Sequence, residues 1–183
     1  MNYKTLLLMS GIAILGAGCT AESKKGKPME TVVVGGMAPD FTLPDQNGNN
    51  HTLSSYRGHK VALYFYPKDQ SPGCTKEACS IRDGRKQLED AGIVVLGVSY
   101  DSVESHKKFA DKYNLTFPLL SDSKKDVSAK YGTKGIFFPS RYTFLINEKG
   151  VVVAILKNVD VSDHADEIIL RYGRTGTTQD DRK

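Results

Sequence analysis

Two thiols stand in the stretch YPKDQSPGCTKEACSIRD, residues 66–83, at Cys74 and Cys79. A cysteine reacts as its thiolate, which attacks oxidants and disulfides and binds metals. Pro67, Ser71, Pro72 and Gly73 are turn and helix-start residues, so Cys74 is expected in the first turn of a helix. Unpaired N–H groups and the positive end of the helix dipole face that position. A thiolate is favoured there: the free-cysteine pKa of about 8.5 can fall to roughly 3.5–7.5. Pro72 and Gly73 would let the backbone approach a small substrate, and Ser71 adds a hydroxyl that both donates and accepts. This reading expects an ionised, exposed sulfur. Cys79 is placed differently. Five residues along an intact helix give about 7.5 Å of rise and roughly 140° of net rotation, with Cα atoms about 8.6 Å apart. A disulfide needs less than about 7 Å, so a static bridge inside that helix would be strained.

The elements that must position these thiols follow from hydrophobic pattern. Lys60 to Pro67, KVALYFYP, is a continuous apolar run that predicts a strand buried on both faces, and Ile93 to Ser99, IVVLGVS, predicts a second. The helix between them carries both thiols and is expected to close at Gly92. Val103, Phe109 and Tyr113 share a helical face in SVESHKKFADKYN. Phe117 to Leu120 predicts a short strand, and KKDVSAKYG a short helix ended by Gly132. RYTFLINEKGVVVAIL predicts a hairpin turning near Glu148-Lys149-Gly150. A last helix is expected from about Ser162, with Asp163 in its first turn, carrying Ile168, Ile169 and Leu170 and stopped by Gly173. Before the first buried strand, FTLPDQNGNNHTL predicts a hairpin around Asn-Gly-Asn-Asn. The class is α/β, a mixed central sheet with helices on both faces and an N-terminal β-hairpin, an order that fits the thioredoxin-like architecture. Residues 31–173 form this domain, and 174–183 are expected to be a disordered tail.

Length and charge narrow the rest. The 183 residues suit one domain plus ends. A formal net charge of +4, with Lys and Arg scattered and no basic stripe, argues against nucleic acid as a partner. No glycine-rich phosphate loop or nucleotide fingerprint is present. Leu6 to Gly18 is a run of thirteen uncharged residues behind Lys4, short of the roughly 20 that span a bilayer and suited to a signal-peptide core over residues 1–18. Gly16, Ala17 and Gly18 lead into Cys19, which resembles the lipobox of bacterial lipoproteins, whose cysteine is lipidated and becomes the new N-terminus. The large apolar residue such sites carry three positions before the cysteine stands here one position earlier, as Leu15. Residues 19–30, rich in lysine with Gly26 and Pro28, then read as a flexible tether. The location implied is the bacterial cell envelope, on the outer side of the cytoplasmic membrane or in the periplasm, with membrane contact through the lipid only.

YPKDQSPGCTKEACSIRD also resembles the active-site segment of the peroxiredoxins, in particular the bacterioferritin comigratory protein group, or Q type. The family pattern of Pro, three residues, Thr or Ser, two residues, Cys falls on Pro67, Ser71 and Cys74. Ser71 stands where many members have Thr. The likeness extends from about Gly36 to Gly173 and includes APDFTLPDQNG and PSRYTFLINEKG. It implies a peroxidase in which Cys74 attacks a hydroperoxide and becomes a sulfenic acid. By the same resemblance Arg141 holds and polarises the peroxide, Ser71 hydrogen-bonds its oxygens, and Pro67 shields the sulfur from water. Cys79 would resolve the sulfenic acid as a Cys74-Cys79 disulfide after local unfolding, and a thioredoxin-like protein would reduce it. No cofactor is implied, and many relatives are monomers.

Three other readings compete. A structural disulfide is opposed by the spacing. A copper-assembly module of thioredoxin fold would need a histidine beside the cysteines, yet His51, His59, His106 and His164 show no ligand spacing with them and read as surface or turn residues. A thiol-disulfide oxidoreductase would normally carry C-x-x-C, which is absent. Ile136, Phe137 and Phe138 read as core or pocket wall.

Overall fold

The computed structural model describes residues 32–175. The expected signal peptide, the Cys19 lipidation site, the tether and residues 176–183 lie outside the described residues.

Alternation along one strand organises the interior. In β3 (Lys60–Phe65), Val61, Leu63 and Phe65 face one hydrophobic cluster, while Ala62, Tyr64 and the following Tyr66 face the other. Every residue from Val61 to Tyr66 is buried, so the strand has no solvent side. Each large side chain buried in this way contributes roughly 1.5–3 kcal/mol. β3 pairs in parallel with β4 (Ile93–Ser99) and antiparallel with β6 (Tyr142–Ile146). β5 (Leu119–Ser121) and β7 (Val152–Leu156) complete the order β5-β4-β3-β6-β7. The expected N-terminal hairpin is a separate two-stranded ribbon of β1 (Thr42–Pro44) and β2 (Asn50–Thr52), followed by a 3-10 turn over Leu53–Tyr56.

Helices cover both faces, in a thioredoxin-like arrangement. Residues of α1 (Pro72–Asp83), α2 (Arg85–Asp90), α3 (Val103–Tyr113) and α5 (His164–Thr175) build the first cluster. The second is closed by α4 (Asp126–Lys130) and the N-terminal segment, through Val127, Val32, Ala38 and Phe41. Phe65 pairs with both Val98 and Tyr142. The C-terminal ends of β3 and β4 and the start of β6 therefore share one edge of the sheet, and the chain enters α1 from that edge.

Several expectations shift. The single helix expected to run to Gly92 is two helices broken at Gly84. Packing requires the glycine at the break: a Cβ on Gly84 would sit 2.4 Å from the Cβ of Ala165 on α5. The last helix begins at His164 and continues through Gly173 to Thr175, into the first residues of the expected tail. A helix tolerates one glycine when its buried face holds it down, and here Ile168 is buried and the Tyr172 hydroxyl donates to the carbonyls of Val61 and Ile146. Leu170 instead faces solvent. The short strand expected over Phe117 to Leu120 lies one to two residues later. Ile136, Phe137 and Phe138 are 83%, 76% and 49% exposed, so they are not core; they lie on the loop between α4 and β6.

Gly84 has an ordinary backbone conformation, φ −83°, so its replacement is opposed by space alone. Gly84→Ala should lower stability in urea unfolding by roughly 1–3 kcal/mol, the usual cost of overpacking.

Candidate active site

The loop between β3 and α1 is sewn down before the helix starts. The Asp69 amide donates to Asp101 Oδ2 at 2.9 Å, and Gln70 turns the chain through left-handed backbone at φ 58°. Ser71 is extended and precedes Pro72 at the first helical position, where the missing N–H costs nothing. The Ser71 hydroxyl donates to the Lys68 carbonyl at 3.0 Å, and the Ser71 carbonyl accepts the Thr75 amide at 2.8 Å. Cys74 thus falls in the first turn of α1, beside the unpaired amides expected there.

Its sulfur is not exposed. Cys74 is 1% exposed, because the α1 face carrying Cys74, Ala78 and Ile81 packs into the first cluster. The expectation of an exposed sulfur is therefore corrected: at this turn of the helix the side chain points inward. Pro67, at the end of β3, is half-buried.

Arg141 comes from the far side of the sequence, just before β6. Its Nη2 donates to Cys74 Sγ at 3.2 Å, and its Nη1 donates to Glu77 Oε2. Burial works against the guanidinium charge, but the Glu77 carboxylate and the Cys74 sulfur outweigh it, and the pKa of Arg141 is raised above its usual value. Glu77 is fully buried one turn after Cys74. Its other oxygen, Oε1, faces His164 Nδ1 at 3.1 Å, off the line of a good hydrogen bond, and neither atom has another partner. His164 Nε2 lies 3.0 Å from Thr143 Oγ1. Tyr64 closes the group with its ring edge-on to His164 at 5.8 Å. Burial first, then the charges of Glu77 and Cys74, push the Tyr64 pKa well above the ordinary phenol value, so its proton stays on. Gly97 makes room for that ring, since a Cβ there would lie 2.8 Å from it.

A second buried network supports the loop from below. Asp69 accepts the Tyr66 hydroxyl at 2.8 Å and the Ser105 hydroxyl at 2.7 Å, and His106 Nδ1 lies 3.0 Å from it. The Tyr66 pKa is raised well above its usual value by burial and then by Asp69, which keeps it a donor. His106 and His164 are both fully buried, contrary to the expectation of surface or turn histidines. Each sits inward because a buried carboxylate faces it.

Cys79 is half-buried, five residues along an unbroken α1, and both thiols are free. The helix end beyond Cys79 is tied down by Arg82, whose Nη1 donates to the Tyr113 carbonyl at 2.7 Å. Sequence reading brought forward Pro67, Ser71, Cys74, Cys79 and Arg141. It missed Glu77, His164, Thr143, Tyr64 and Asp69. Glu77 carried a signal, a carboxylate three positions after a helix-start cysteine; His164 carried none. Among the described residues no group of three His, Cys, Asp or Glu could hold a metal ion.

Comparison with known proteins shows the family. A model of the AhpC/TSA family matches residues 34–155. The chain is 48% identical over 152 residues to a putative peroxiredoxin bcp of Coxiella burnetii, covering 77% of this chain and 99% of that one. It is similar to the crystal structure of peroxidoxin BcpB from Mycobacterium tuberculosis, with TM-score 0.73 and 34% identity over 78% of this chain and 97% of that one. It is also similar to the bacterioferritin comigratory protein of Xanthomonas campestris, studied for its alkyl peroxide reduction activity, with TM-score 0.69 and 33% identity over 74% and 92% of the two chains.

Asp69→Asn removes the charge that holds Tyr66, Ser105 and His106 together. It should lower stability by roughly 1–3 kcal/mol, and hydrogen exchange should show faster opening of residues 67–73 than in the wild type.

Proposed function

Because the chain belongs to the AhpC/TSA family, in its bacterioferritin comigratory protein or peroxiredoxin Q branch, it is a thiol-dependent peroxidase, and we propose that Cys74 attacks the peroxide and Cys79 resolves it. The observation that carries the residue assignment is the Arg141 guanidinium 3.2 Å from a sulfur in the first turn of α1. In this reading the Cys74 thiolate forms a bond to the terminal oxygen of a hydroperoxide as the O–O bond breaks. The departing oxygen takes a proton and leaves as water or an alcohol, and the sulfur, oxidised by two electrons, becomes a sulfenic acid. Arg141 is placed to stabilise the charge developing on the peroxide oxygens, and helix amides add to it. Ser71 supplies a hydroxyl for the same oxygens once it turns from the Lys68 carbonyl, and Pro67 limits water. Organic hydroperoxides join hydrogen peroxide as substrates, by analogy with the Xanthomonas relative.

The second step needs motion. The Cys79 sulfur must reach the sulfenic sulfur, expel water and form the disulfide, which an intact α1 forbids. The first turns of the helix open while Arg82 holds the far end. A thioredoxin-like dithiol then returns two electrons and restores both thiols. Both cysteines lie on one helix of one chain, which supports action as a monomer. The copper-handling alternative finds no histidine beside the thiols: His164 is engaged with Glu77 and Thr143, and His106 faces Asp69. The uncharged run Leu6 to Gly18 and the small residues before Cys19 support a lipid-anchored protein of the bacterial envelope.

Cys74→Ser should abolish peroxide consumption with the fold retained, whereas Cys79→Ser should react once and stall as a sulfenic acid detectable by mass spectrometry. Undiminished turnover by either variant would remove the role given to that residue. For the anchor, the full chain produced in a bacterium fed labelled palmitate should carry the label, and Cys19→Ser should not; an unlabelled wild-type chain would rule the anchor out.

A further inference from the structure

The buried group behind Arg141 contains titratable side chains that the peroxidase reaction as described leaves without a role, and His164 is the one farthest from the sulfur along the chain of contacts from Arg141 through Glu77. His164 is the first residue of α5, fully buried, and lies between Glu77 Oε1 and the Thr143 hydroxyl. Its position is itself held: the neighbouring Ala165 amide donates to the Ser80 hydroxyl of α1 at 3.3 Å, and Gly84 admits Ala165 at close range. A buried carboxylate oxygen left without a donor loses its water and gains nothing in return. Oε1 of Glu77 has no aligned donor, and the ring nitrogen facing it, Nδ1, has no aligned acceptor. The two atoms lie 3.1 Å apart, each the other's nearest complement.

We infer that His164 is a positioning residue for the peroxidase reaction. The Thr143 hydroxyl donates to Nε2, which puts the ring proton on Nδ1; Nδ1–H holds Oε1 of Glu77; and Glu77, so held, keeps the Arg141 guanidinium against the Cys74 sulfur. Arg141 is a long side chain, and most of its rotamer freedom must be removed before its fork can meet a peroxide in one geometry. Glu77 removes it only if Glu77 is itself fixed. His164 touches no reacting atom and acts through two other side chains. The inference rests on the assignment of Cys74 as the reacting sulfur and adds what holds its arginine in place.

The test uses reduced full-length chains: wild type, His164→Leu, which removes the donor, and His164→Asn, whose amide nitrogen stands where Nδ1 did. Two second-order rate constants are measured at Cys74 by quenching and mass spectrometry, one with hydrogen peroxide and one with iodoacetamide. Alkylation expels iodide and leaves no departing oxygen for Arg141 to stabilise, so it reports the sulfur without the arginine's contribution to peroxide cleavage. His164→Leu should slow oxidation by about 10- to 100-fold, the scale of a misplacement near 1 Å. Alkylation should fall much less, and His164→Asn should recover most of the peroxide rate. Oxidation of His164→Leu at the wild-type rate would overturn the inference, as would equal slowing of both reagents in both variants, which marks a general structural loss. Wild-type Cys74 inert to peroxide would overturn the underlying assignment instead, whatever His164 does.

Discussion

A carboxylate with no access to water must be paired on both sides, and Glu77 is the case on which this molecule turns. Removing one partner of a buried ion pair costs on the order of 3–5 kcal/mol, because the other charge stays behind unpaired. Glu77 is fully buried, with Arg141 on one oxygen and His164 facing the other. It therefore brings together three parts of the chain that share no local sequence: α1, the residue before β6, and the start of α5. The sulfur at Cys74 receives its guanidinium as a by-product of that pairing. Chemistry and packing are met by the same contacts.

The sheet makes this convergence possible. β3 and β4 run parallel and β6 runs against them, so two strand ends and one strand start meet on one edge. Cys74 follows the first of these and Arg141 precedes the third. Tyr64, on β3, fills the space beneath, where Gly97 on β4 leaves room for its ring. The Asp69 network fixes the loop above, tying it to Asp101 and to Ser105 and His106 of α3. Opposed restraints therefore hold both ends of the short path from β3 into α1.

What was legible in the sequence was local. The buried strands announced themselves because a strand covered on both faces needs an unbroken apolar run, as in KVALYFYP. Cys74 and its flanking Ser71, Pro72 and Gly73 were legible because helix starts use a small vocabulary. Arg141 came from resemblance, since nothing in its own surroundings marks it. Glu77 and His164 meet across 87 positions, and no pattern within either segment encodes the other. The break at Gly84 was missed for a related reason: the residue has ordinary backbone geometry, and only Ala165 on a distant helix requires its small size. Gly173 misled in the opposite way, since a glycine inside a well-anchored helix need not end it. Ile136, Phe137 and Phe138 read as core or pocket wall by composition, but their exposure on the loop between α4 and β6 rules out the core.

Glu77 also lies between the two cysteines, on the stretch of helix that must come apart before their sulfurs can join. In the proposed cycle, bridging them would draw the carboxylate off Arg141 and His164, so the oxidised molecule would surrender the arrangement that holds the guanidinium at the Cys74 sulfur. Turnover on that reading is self-gating: the spent protein would be disarmed by its own cross-link, and rearming would wait on a partner that cuts it.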